Sequence, residues 1–210
     1  IIGSDLSLEI DGLISSMELL KEPIHSIDFQ SKVNTASVKT IVSIEDPKYR
    51  SDITSEILFA GPLEINTLVQ LDSFSVGNLL RLDSTLSVSG GFRSNIRIDQ
   101  SSLEGYVEGQ DIIFQNLSRE YELDTLSIQA MISPTASTFH YYADDGNANL
   151  ESNFDIRDAG EVFQAWSGKR FKLSDPKNHP EGTRALQFNI QLENATPFLL
   201  LGIDVDDFSS

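Results

Sequence analysis

Apolar and polar residues alternate along most of this chain, and that period of two constrains the fold more than any single motif. Leu86, Val88 and Phe92 share one parity. So do Leu103, Gly105 and Val107, then Leu126, Ile128, Ala130 and Ile132, then Leu186, Phe188, Ile190 and Leu192. Successive side chains of a strand point to opposite faces, so each run predicts a strand with one apolar and one polar side. The runs are separated by Gly, Asp, Asn and Ser, residues suited to turns. The expected fold is all-β, a long antiparallel meander. Such a chain offers the face of a sheet and no catalytic constellation, and it is read as a non-enzyme.

Leu6, Leu8 and Ile10 alternate up to Asp11-Gly12, a two-residue hairpin signal, with Leu13 to Leu20 as the return strand. Strands are expected near 26–33, 36–45, 54–59 and 63–71, with 46–52 as a loop. The stretch 82–132 predicts short strands at 85–92, 95–99, 103–107, 111–115 and 125–132. Asp144-Asp145-Gly146-Asn147 reads as a hairpin turn. One short amphipathic helix is expected next, capped by Asp158, with Glu161 three residues on, Val162, Phe163 and Trp166 at helical spacing, and Gly168 as its end. A strand at 184–193 and an apolar segment at 198–205, too short to span a bilayer, close the pattern. No linker-like stretch divides residues 1–210, which are taken as one continuous unit. The tripeptides Leu71-Asp72-Ser73, Leu82-Asp83-Ser84 and Leu123-Asp124-Thr125 hint at an internal repeat.

The chemistry of sites is sparse. A net charge of -17 argues against nucleic acid as a partner, because phosphate recognition needs concentrated Lys and Arg. Without cysteine there is neither a disulfide framework nor a thiolate metal site. His25, His140 and His179 stand alone, with no second ligand at metal spacing, and the acidic loop at 144–149 lacks the terminal Glu of an EF-hand. No P-loop, dinucleotide fingerprint or nucleophile elbow occurs, so no cofactor is expected. Asn116-Leu117-Ser118 and Asn194-Ala195-Thr196 match the glycosylation sequon, which has meaning only in a eukaryotic secretory protein. The chain starts Ile1-Ile2-Gly3, without an initiator Met, and is read as a piece of something longer.

The segments Leu-Asp-Ser-Thr-Leu-Ser-Val-Ser-Gly-Gly-Phe (82–92), Ser-Leu-Glu-Gly-Tyr-Val-Glu-Gly-Gln-Asp-Ile-Ile-Phe (102–114) and Leu-Asp-Thr-Leu-Ser-Ile-Gln-Ala (123–130) resemble the repeating strands of AsmA-like and TamB proteins of Gram-negative envelopes. The strand at 149–156, the aromatic helix around Phe163 and Trp166, and 188–192 extend the likeness to about three quarters of the chain. The resemblance implies a β-taco, a long sheet curved into a groove with an apolar concave face. It also implies a periplasmic location, a parent anchored in the inner membrane, and a part in phospholipid transport to the outer membrane and in outer-membrane assembly, with assembly proteins as partners. The family's anchor and its C-terminal domain are not recognisable in this sequence.

A sheet with no second layer exposes its apolar face, and acyl chains could cover it at roughly 25 cal/mol per Å² removed from water. The expected lining is Leu86, Val88, Phe92, Leu103, Val107, Ile112, Phe114, Leu126, Ile128 and Ile132, with Phe163 and Trp166 as a cap on the groove. From the residues alone, the same positions serve equally as the core of a closed barrel or sandwich, a binding or adhesion module using loops at 46–52 and 175–182. Edge strands left open would permit self-association.

Overall fold

The computed structural model describes residues 7–19, 22–77, 85–158 and 185–192. They form eleven strands: β1 (Leu8–Leu19), β2 (Glu22–Val33), β3 (Ser37–Ile44), β4 (Tyr49–Leu58), β5 (Leu63–Ser75), β6 (Ser87–Asp99), β7 (Ser102–Gln115), β8 (Glu120–Ile132), β9 (Ser137–Ala143), β10 (Gly146–Ser152) and β11 (Leu186–Leu192). Each strand pairs antiparallel with its sequence neighbours, and the spatial order is the chain order. The result is one open, curled sheet whose edges are β1 and β11. The meander is therefore as expected, and the closed sandwich is not what forms.

Several boundaries differ from the sequence expectation, and each for a physical reason. Asp11-Gly12 is not a turn, because β1 runs straight through it. Gly12 stands opposite Phe29, and a Cβ there would lie 2.6 Å from the Phe29 ring, so the glycine makes room for a cross-strand aromatic. The loop expected at 46–52 ends early: β4 begins at Tyr49, whose ring packs edge-on against Phe74 with centroids 5.2 Å apart. The strands expected at 85–92 and 95–99 are one strand, β6, and those at 103–107 and 111–115 are likewise one strand, β7. The hairpin at Asp144-Asp145 forms, with Ala143 paired to Gly146. Of the expected helix, the described residues include only a 3-10 turn at Ile156–Asp158, and Phe163 and Trp166 lie outside them.

Long strands survive their turn-like residues because the alternation slips phase and then resumes. Ser89 pairs with Ile113 and Gly91 with Gln110, so Gly90 faces two residues of β7, Asp111 and Ile112. In β5, Arg50 opposes Ser73 but Ser51 opposes Leu71, which leaves Asp72 as the extra residue. A bulge of this kind lets residues three apart share a face. Leu71 and Phe74 do so in β5, and Leu123 and Leu126 in β8, where both pairs pack on one cluster. Ile24 and Ile27 share a face in β2, with Ile14 and Met17 opposite them in β1. Ser26 and Asp111, at the slips of β2 and β7, take left-handed backbone with φ of 56° and 51°. Two of the Leu-Asp-hydroxyl tripeptides thus mark slips.

Freed backbone groups at two slips are met by carboxylates from the next turn. The His25 N–H donates to Asp46 Oδ2 at 3.1 Å, and Asp46 Oδ1 accepts from the Lys48 N–H at 2.8 Å. Across the sheet, Asp144 accepts from both the Thr125 N–H and the Thr125 hydroxyl, each at 3.0 Å. In each case the carboxylate follows the strand adjacent to the slipped one, β3 or β9. Satisfying the freed donors makes the slip tolerable, because a backbone N–H that has lost its ladder partner is met within the protein.

Candidate functional site

Residues directly opposite in a ladder share a face, so the registers assign every strand position to one side of the sheet. Starting from Phe92, the row runs through Val69 and Ile53 on one side and through Gly109 and Leu126 on the other. A parallel row links Ile57, Ile65, Ile96, Gly105, Ala130, Phe139, Leu150 and Phe188. Both rows are apolar across the sheet, and the row between them is apolar from Val107 through Ile128 and Tyr141 to Ala148. The opposite face carries Glu9, Lys32, Lys39, Glu56, Asn66, Asn95, Tyr106, Gln129, His140 and Asn149 in one cross-strand row. Several members of that row bond to each other: Asn95 Nδ2 donates to Asn66 Oδ1 at 2.6 Å, and the Lys32 ammonium meets Glu9 at 2.8 Å.

All ten expected lining residues fall on the apolar face, although Leu103 and Val107 are odd and Ile112 and Phe114 even. The slip at Asp111 and Ile112 reconciles them. A Cβ on Gly109 would stand 2.5 Å from Ile112 Cδ1 and 3.2 Å from the Phe92 ring, which places all three together. The ten are not equivalent, however. Leu86, Val88 and Ile112, at 1%, 7% and 0% exposure, lie in a dry region at the bulged end. There Val88, Ile112, Tyr121, Leu123 and Ala143 form one cluster, and Ile24, Ile27, Ile44 and Tyr49 another. Phe92, Leu103, Val107, Phe114, Leu126, Ile128 and Ile132 are half-buried. Toward the other end and the edges, Ile98, Phe139, Phe188 and Leu8 are exposed.

Between the two apolar rows the same face carries a row of hydroxyls on β2 to β6, Ser31, Thr40, Ser55, Thr67 and Ser94, of which Ser31 bonds to Thr40 at 3.1 Å and Ser55 to Thr67 at 3.4 Å. The Ser51 hydroxyl, between Ile44 and Leu71, is buried without a hydrogen-bond partner. Asp145 is buried and accepts from the Tyr141 hydroxyl at 2.9 Å. Burial, and secondly the Asp145 charge with its hydrogen bond, raise the ionisation of both Tyr121 and Tyr141 well above the ordinary phenol value. Asp144, by contrast, is held below the usual carboxylate range by its bonds from the Thr125 backbone and side chain. The two carboxylates of the acidic hairpin are therefore turned toward different protein donors. Among the described residues, no three His, Asp or Glu side chains converge on a point that could hold a metal ion.

Two clefts lie on the polar face. One of about 410 Å³ is lined by Asp52, Gln70, Arg93, Glu108 and Gln110, and another of about 540 Å³ by Asn95, Arg97, Glu104, Tyr106 and His140. They are gaps between long side chains standing in ladders, open to solvent and mixed in charge. The apolar face is the stronger candidate surface, because its apolar rows cross the sheet while no second layer covers them among the described residues. Its members on β3 to β5 and β9 to β11, such as Ile53, Ile65, Phe139 and Phe188, were not among the expected lining residues. The shared parity of each run was the signal, and assigning it needed the register.

Comparison with protein-family models, with characterised proteins and with solved structures gives no match.

Proposed function

We propose that this chain is a non-enzymatic segment of a periplasmic protein, anchored in the inner membrane through its parent polypeptide, that carries phospholipid toward the outer membrane. Acyl chains occupy the half-buried part of the apolar face, and head groups stay at the polar rim. The observation that carries this reading is one sheet face on which two apolar rows run from strand to strand and which no second layer covers among the described residues. Large uncovered apolar surfaces mark binding sites, and each buried methylene of an acyl chain contributes about 0.8 kcal/mol. The acidic charge suits a zwitterionic lipid and an assembly protein as partners more than an anionic surface.

The test is native mass spectrometry of the chain incubated with phosphatidylethanolamine vesicles, followed by extraction and lipid analysis. The parental chain is expected to retain lipid, and Ile128→Asp, at a half-buried lining position, to lose it while keeping its strand content. A lipid-free parental chain, or lipid retained at the parental level in the folded variant, sinks the proposal. Val88 is unsuitable for this purpose because it belongs to the dry cluster, where a charge tests folding instead.

A further inference from the structure

We infer that β1 is a homodimerisation edge, pairing antiparallel with β1 of a second copy about a two-fold axis between Ser15 and Ser16. Among the described residues nothing pairs with the outer edge of β1. Natural edges are blunted by Pro, Lys or charges on the buried side, and β1, with sequence LEIDGLISSMEL, has none of these. Its apolar face remains exposed, with Leu8 at 56% and Met17 at 42%, whereas Ile24 and Ile27 on the adjacent strand β2 are buried. Pairing on one side only accounts for that difference.

The occupant is specified by the phase slip. On β1 the apolar face comprises Leu8, Ile10, Gly12 and Ile14, then Met17 and Leu19; Ile14 and Met17 oppose Ile27 and Ile24 of one cluster, so the change of phase falls on Ser15 and Ser16. In two ladders the register runs unshifted because both strands change phase together: Ser16 pairs with His25 at the β2 slip, and Gln110 pairs with Thr125 where β7 and β8 slip together, whereas the β4–β5, β5–β6 and β6–β7 ladders shift register instead. A two-fold between Ser15 and Ser16 reproduces this arrangement in trans. It sets Ile14 against Met17 and Gly12 against Leu19 on the apolar side, and Leu13 against Glu18 on the polar side. Pairing centred on Asp11 would also match faces, but it sets carboxylate against carboxylate, which is unfavourable. The register over 12–19 avoids that conflict. Both apolar faces then lie on the same side, giving one sheet of doubled length. A single strand pair is a small interface, so the association is reversible and concentration-dependent.

The test uses sedimentation equilibrium of the full chain over a concentration series, without lipid, so that its outcome is independent of the proposed lipid function. Leu13→Lys places an ammonium opposite Glu18 of the other copy and is expected to tighten the dimer about threefold or more, counted over two symmetric pairs. Adding Glu18→Lys turns both pairs repulsive and is expected to weaken it below the parental level. Both positions are exposed on the polar face, so the fold is retained, which circular dichroism checks. Hydrogen exchange is expected to slow in residues 12–19 as concentration rises. A chain monomeric at all concentrations overturns the inference. So does a dimer indifferent to both changes, which would place the contact at β11 or on the apolar face.

Discussion

Replacing Gly90 by Ala tests whether the bulge geometry, and not merely the strand, holds the dry end together. Gly90 has φ of +136°, a conformation essentially restricted to glycine, and faces two residues of β7. Forcing an L side chain into such a region costs about 1–3 kcal/mol. The added Cβ would also lie 3.0 Å from the Asp111 carbonyl oxygen and 3.0 Å from Ile112 Cα, backbone atoms that cannot rotate away. Together these predict a loss of about 3 kcal/mol. With a urea m-value near 2 kcal/mol/M, the midpoint falls by about 1.5 M. The control is Gly91→Ala, where the new Cβ meets only the Gln70 Oε1 at 3.3 Å, the end of a flexible side chain. There the loss of unfolded-state entropy offsets the contact, and a change within about 0.5 kcal/mol is expected. Urea unfolding followed by far-ultraviolet circular dichroism reads both. If the two variants lose the same stability, the account of the slip given above is wrong.

Two further outcomes follow from the hairpin between β9 and β10. Thr125→Val removes one of the three donors that lower the Asp144 ionisation, so the Asp144 pKa measured by nuclear magnetic resonance should rise toward the ordinary carboxylate value. Because the folded value is depressed, the stability from this contact is present above the unfolded pKa of about 4 and is lost as pH falls through the folded value. A pKa unmoved by the substitution would contradict the assigned bonds. Tyr121 and Tyr141 have the opposite sign: their raised folded values make stability fall as pH climbs past the ordinary phenol value of about 10. Spectrophotometric titration should show these two phenols ionising above the ordinary phenol value, and Tyr141→Phe should remove one late step.

The class of fold was legible in the chain, because a period of two written over many runs admits little besides a meander. The same period misplaced the breaks. Gly109-Gln110-Asp111 has turn composition, and a change of parity from Val107 to Ile112 reads as two strands. In the folded chain it is one strand whose extra residue is absorbed opposite Gly90. Asp11-Gly12 failed for a related reason, since the space that Phe29 requires across the ladder is invisible in a local reading. The lining residues were placed on a common face because parity within each run survives folding. Their division into dry and half-buried members was not legible, since it depends on what folds over the bulged end.

Every strand touches chiefly the strands before and after it in sequence, and this has a consequence for how such a molecule changes over time. A sandwich must be redesigned when a strand is added, because its core closes on itself. Here the insertion or deletion of one hairpin alters two ladders and leaves all other registers in place. Sheet length is then a variable that gene duplication can set in steps of two strands, and folding can begin at any hairpin and spread outward from it.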